Sequence, residues 1–127
     1  MDRAEIPQEV LRFIERRMDS VPHLETLLLL WENPSKPWKP ADIASRVYID
    51  AARARHVLED LARHGLLAPA TPEGYVFNAG WDESRLMEKV AAAYRRHLVP
   101  IAGLIHAKGA SQAVQDFARA FQFKPEE

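Results

Sequence analysis

The chain has 127 residues, a formal net charge of −1, 47% apolar and 28% charged residues, and no cysteine. Near-neutral charge argues against wholesale coating of phosphate, which takes a strongly basic surface. The length fits one domain or a compact domain with a helical extension, and the missing cysteines exclude disulfides and thiolate metal sites.

The opening "MDRAEIPQEV" is charged and lacks the apolar core of a signal peptide. "LLLLW" (Leu27 to Trp31) is too short to span a bilayer. The expectation is a soluble cytoplasmic protein with no membrane partner.

Pro7 suits the first position of a helix, after which Val10, Leu11, Ile14 and Met18 share one face. Ser20 is placed to cap a second helix, with Val21, Leu24, Leu27, Leu28 and Trp31 as its apolar stripe. The three prolines of "ENPSKPWKP" (Glu32 to Pro40) predict a loop. Pro40 then opens a short third helix, with Asp42 in its first turn and Ile43, Ala44 and Val47 inward. Asp50 caps a fourth helix whose inward positions are Ala54, Val57, Leu58 and Leu61. Arg63 and His64 fill its last turn and Gly65 ends it. "LLAPA" and "YVFNA" around the turn "TPEG" predict a hairpin, with Pro69 placing its strand at an edge.

Asp82 is the expected cap of the next helix, and Trp81 the expected staple onto Leu86. From there Leu86, Met87, Val90, Tyr94, Leu98, Ile101 and Ile105 keep spacings of three and four. About two dozen residues make a helix on the order of 35 Å long, with a kink or break expected at Pro100. Lys108-Gly109 should stop it, and a last helix from about Ser111 would bury Val114, Phe117, Ala118 and Phe121. The fold class expected is mainly α with a small β-hairpin. Residues 1–80 would form one domain, and 81–127 a C-terminal helical extension.

The stretch "KPADIASRVYIDAARARHVLEDLARHGLL" followed by "APATPEGYVF" resembles the DNA-binding core of bacterial regulators of the MarR, ArsR and PadR kind. The resemblance covers about residues 21–80 and implies a winged helix-turn-helix with helical extensions at both ends. It further implies a transcriptional regulator that binds double-stranded DNA, with the fourth helix in the major groove. On that helix the outward residues would be Ala51, Ala52, Arg53, Arg55, His56 and Asp60. Arg53, Arg55 and His56 would read bases or phosphates, with Ala52 beside them. Arg46, Lys36 and Lys39 would hold the backbone, and Ser45 and Tyr48 offer hydroxyls to phosphate. The alternative for each of these residues is plain solvated surface. A cation in a helix's first turn opposes the macrodipole unless an anion docks there and uses both.

The wing departs from the family pattern, because its tip "TPEG" carries Glu73 and no arginine or lysine. The tail resembles the helices by which such regulators pair. Some of the apolar stripe should pack against the first helix or against a second subunit, and a homodimer is the economical solution, through Met87, Val90, Tyr94, Leu98, Ile101, Ile105, Phe117 and Phe121. The competing reading is a protein-interaction adaptor on the same scaffold, using the C-terminal helices and binding little DNA.

No catalysis and no cofactor are expected: the chain has no P-loop, GxGxxG or GxSxG. His56 and His64 lie eight apart, His97 and His106 nine apart, and HExxH is absent, so no metal site is expected. Glu59 and Asp60 beside Arg63 read as ordinary helix surface. Core or staple roles are expected of Trp31, Trp38 and Trp81.

Overall fold

In a computed structural model, which describes residues 6–82 and 84–108, the first four helices begin where the sequence places their starts. Helix α1 (Gln8–Arg17) follows Pro7, and α2 (Val21–Glu32) starts after Ser20, whose hydroxyl accepts from the His23 amide. Helix α3 (Pro40–Val47) opens with the Asp42 carboxylate accepting from the Lys39 amide at 3.0 Å. Helix α4 (Ala51–Arg63) opens with Asp50 accepting from the Arg53 amide at 2.7 Å. Each cap satisfies a backbone donor that a helix leaves open at its start. Tyr48 closes α3 with φ 63°, and Gly65 closes α4 with φ 79°.

Strands β1 (Leu67–Pro69) and β2 (Tyr75–Phe77) pair antiparallel, with Leu67 opposite Phe77 and Pro69 opposite Tyr75. Trp38 adds a further rung, between the proline-rich loop and β2: its amide donates to the Tyr75 carbonyl at 2.8 Å, and the Tyr75 amide donates back at 2.9 Å. A 3-10 turn (Ala79–Trp81) leads to α5 (Leu86–Arg96), and α6 runs over 98–108. The molecule is mainly helical with one small antiparallel sheet, as the sequence predicts.

Among the described residues the buried apolar side chains form one cluster that runs from Ile6 to Ile105. Val10 and Ile14 of α1, Leu24, Leu27 and Leu30 of α2, Ile43 of α3, and Leu58 and Leu61 of α4 are fully buried in it. So are Met87 and Val90 of α5 and Ile101 and Ile105 of α6. Each such side chain contributes about 1.5–3 kcal/mol relative to an exposed one.

The structure corrects three expectations. The long helix is divided, with the break at His97 rather than at Pro100. Pro100 has no amide hydrogen and its ring would strike the Arg96 carbonyl, so α5 ends there and Pro100 falls in the first turn of α6. Asp82 is not the cap residue of α5; Arg85, at φ 60°, precedes the helix. The Asp82 carboxylate still accepts from the Met87 amide at 3.2 Å. Finally, Met87, Val90, Ile101 and Ile105 offer no surface for pairing, and Tyr94 is buried. Helix α5 packs on α1 and α2, and Lys108 of α6 reaches the end of α1, so the chain covers its own stripe. Leu98 remains 49% exposed. The last predicted helix, with Phe117 and Phe121, lies outside the described residues. Among those residues no helix is long and apolar enough to cross a membrane.

Candidate nucleic-acid interface

Helix α4 has two sharply different edges. Ala54, Val57, Leu58 and Leu61 are buried, while Ala51, Ala52, Arg53, Arg55 and His56 are exposed. The 3.6-residue period decides this: positions three and four apart share a face, so the apolar set takes one side and leaves the arginines the other. The side chains expected to read nucleic acid therefore point away from the protein body. Asp50 anchors the start of the helix, so the two arginines project from a turn fixed by its cap.

The residues expected to hold a backbone are also exposed, with specific neighbours. The Lys36 ammonium sits 4.2 Å from the centre of the Trp38 ring, and the Arg46 guanidinium 5.6 Å from it. Both distances suit cation–π attraction. One buried indole thus gathers a cation from the proline-rich loop and a cation from α3. Lys39 is exposed where α3 begins. The Ser45 hydroxyl donates to the Asp42 carbonyl at 3.2 Å, which leaves its lone pairs outward. Tyr48 is 90% exposed at the corner between α3 and α4.

Trp38 does more than the core role expected of it. It is buried, donates from its ring nitrogen to the Asn33 carbonyl at 3.2 Å, and bridges the loop to β2. The available signal was the pair of prolines around it. Lys36 precedes Pro37 and Lys39 precedes Pro40, and a residue before proline is driven to extended backbone, so both neighbours of the Pro37–Trp38 pair favour an extended strand-like segment. Trp31 is half-buried against the core, and Trp81 stacks on Phe13 with ring centres 5.6 Å apart.

The hairpin tip matches its sequence reading: Thr71, Pro72 and Glu73 are exposed and carry no cation. Gly74 closes the turn with its amide donating to the Thr71 hydroxyl at 2.8 Å. A side chain at Gly74 would meet that hydroxyl and Pro37, so the tip is held against the proline-rich loop.

Asp60 is a correction. Expected on the outward surface of α4, it is only 7% exposed. Its Oδ2 lies 3.0 Å from His23 Nε2 and 3.4 Å from His56 Nε2, while Arg63 pairs with Oδ1. Burial alone would raise the Asp60 carboxyl. The His23 hydrogen bond and the charges of His56, His23 and Arg63 outweigh it and hold the group below its ordinary value. His23, on α2, is 6% exposed and its Nδ1 lies 2.6 Å from the Ser20 hydroxyl. Sequence reasoning missed this network because His23 is 37 residues from Asp60. The one local hint is that Asp60 lies three residues after the inward Val57.

The arrangement can present two arginines from a capped helix, backed by three cations and two hydroxyls on the adjoining loop and helix. Comparison with protein-family models, with curated proteins and with solved structures returns no match.

Proposed function

We propose that the chain is a DNA-binding transcriptional regulator that acts through a winged helix-turn-helix made of α2, α3, α4 and the β1–β2 hairpin. The observation that carries the reading is the outward edge of α4. Arg53 and Arg55 stand in solvent at its capped start, while its other edge is sealed in the core. The Trp38 rung supports it, since it completes a small sheet beside the helix pair and gathers Lys36 and Arg46 nearby. In this reading Arg53 and Arg55 contact guanine edges or phosphates, and Lys36, Lys39 and Arg46 hold the backbone. The protein works by binding rather than catalysis, in the cytoplasm. It pairs as a homodimer through exposed surface such as Leu98 and Val99, rather than through its buried stripe.

The test is fluorescence anisotropy of a labelled random duplex, titrated across a salt series. Several phosphate contacts give a steep fall in affinity with salt, with a slope of about −0.9 per contact. Arg53→Ala combined with Arg55→Ala should lose much of that slope, and about 1–3 kcal/mol for each bidentate base contact on a specific site. Unchanged binding by the folded double variant refutes the assignment. A second reading, a protein-binding adaptor, is favoured by the cation-free hairpin tip and by Val99, which is 75% exposed. It predicts no duplex binding even at low salt.

A further inference from the structure

Two histidine–aspartate pairs of spacing four, Asp19 with His23 and His56 with Asp60, meet where the start of α2 packs on α4. One carboxylate oxygen of Asp19, one ring nitrogen of His23 and one carboxylate oxygen of Asp60 lie within 4.8 Å of one another. His56 approaches the same Asp60 oxygen from the solvent side, its own side chain largely exposed. Asp19 is exposed as well, so the cluster has two buried members and an open mouth.

We propose that this cluster is a binding site for one divalent transition-metal ion of the zinc class, with Asp19, His23, Asp60 and His56 as its four ligands. The donors are two imidazoles and two carboxylates, a set that suits zinc, nickel or cobalt better than the all-oxygen cages of magnesium and calcium. A tetrahedral zinc with bonds of about 2.0–2.2 Å separates its ligand atoms by roughly 3.3 Å. The His23–Asp60 distance of 3.0 Å and the His56–Asp60 distance of 3.4 Å already bracket that value. The donor atoms of Asp19, His23 and Asp60 lie within 4.8 Å of one another, so drawing these three onto one ion requires a shift of at most about 1.5 Å. Asp19 can supply it, because it lies outside the helices, ahead of the Ser20 cap.

The neighbouring groups fit an ion as well as its absence. Without an ion, the Ser20 hydroxyl donates to His23 Nδ1, and the Nε2 hydrogen points to Asp60. With an ion, Nδ1 carries the hydrogen and donates to the Ser20 oxygen, freeing Nε2 as a ligand. A hydroxyl can turn to serve either tautomer, and such an outer partner fixes the ring of a metal-binding histidine. Arg63 occupies only Oδ1 of Asp60, so it orients the carboxylate and leaves Oδ2 to the ion. This inference does not depend on DNA binding.

The test is titration of the purified full chain with zinc chloride by calorimetry and with cobalt chloride by visible absorption. One ion per chain is expected, with the absorption of tetrahedral cobalt and a higher Tm in zinc. Asp19→Asn and His56→Ala change exposed side chains, so both should fold as the wild type does, checked by circular dichroism. Each should weaken zinc binding at least tenfold, the low end of what removing a single supporting group does to a metal site, and should reduce the zinc-dependent rise in Tm at a given zinc concentration. Absence of heat and of cobalt absorption with the ion in large excess overturns the proposal. So does wild-type affinity in both variants, which would put the ion elsewhere.

Discussion

Asp60 shows how a single charge can be buried in a chain this small. It leaves water chiefly because the buried His23 reaches it, with Arg63 and the exposed His56 adding charge from the solvent side, and a buried carboxylate without a partner is strongly disfavoured. Asp60→Ala leaves the buried His23 nitrogen without its acceptor, and we expect a loss of about 1–3 kcal/mol in urea unfolding at neutral pH. The dependence on pH has a definite sign. The carboxyl is held below its ordinary value of 3.8 in the folded chain, so its contribution is present above that value. It is lost as pH falls through the lower, folded value. The gap between wild type and Asp60→Ala should therefore narrow only in acid below about pH 4. Thr26 presents the opposite case: it is fully buried on α2, and its hydroxyl finds no partner among the described residues. Thr26→Val keeps the shape and removes a buried polar atom, so it should raise stability by up to about 1 kcal/mol. A lower urea midpoint in that variant would show that the hydroxyl is satisfied after all.

At the scale of elements, the starts of α2, α3 and α4 were legible, while the start of α5 and the place where it stops were not. Ser20 and Asp50 accept from the first turn of their helices and Asp42 reaches back from the first turn to the Lys39 amide, local devices readable without tertiary structure. Pro100 announces a break, but its place at His97 has no such mark. Tyr94, Leu98 and Ile101 keep the spacing of three and four straight through it, and the proline responsible stands three residues further on. Periodicity records which side is apolar, not whether the backbone is continuous. The end of α4 is a cleaner case. Gly65 has φ 79°, and a side chain there would meet nothing within 4 Å, so only the backbone conformation calls for glycine. Gly65→Ala should cost about 1–2 kcal/mol from the left-handed conformation alone. Gly65→Asn should recover part of the loss, since asparagine visits that region more readily. Equal losses in the two variants, compared by thermal melting, would point to a packing cause instead.

For the molecule as a whole, the apolar stripe of α5 and α6 was legible but its partner was not. A stripe states that something covers it, and both another subunit and the chain's own first helices satisfy that demand. Here α1 and α2 do, and polar links fasten the same seam. Lys89 on α5 pairs with Glu9 on α1, and Lys108 on α6 donates to the carbonyls of Ile14 and Met18. A cation on the last carbonyls of a helix also suits its dipole. The Tyr94 hydroxyl on α5 donates to Glu25 on α2 at 3.0 Å. Burial, then the Glu25 hydrogen bond and charge, push the Tyr94 phenol up from 10.0 to about 12. Between those values the unfolded chain has lost this proton while the folded chain still holds it, so the link stabilises below about pH 10 and weakens as pH rises. Tyr94→Phe keeps the ring and deletes the titration. At neutral pH it should be less stable by about 1.5–3 kcal/mol, the range for a hydrogen bond to a charged group. That deficit should shrink steadily above about pH 10, where wild type alone pays for the tyrosine proton. Urea midpoints of both proteins, measured in parallel at rising pH, cancel the lysines that titrate in the same range. A constant difference through that range would mean that the phenol is wet and that the seam between α5 and α2 is looser than its geometry indicates.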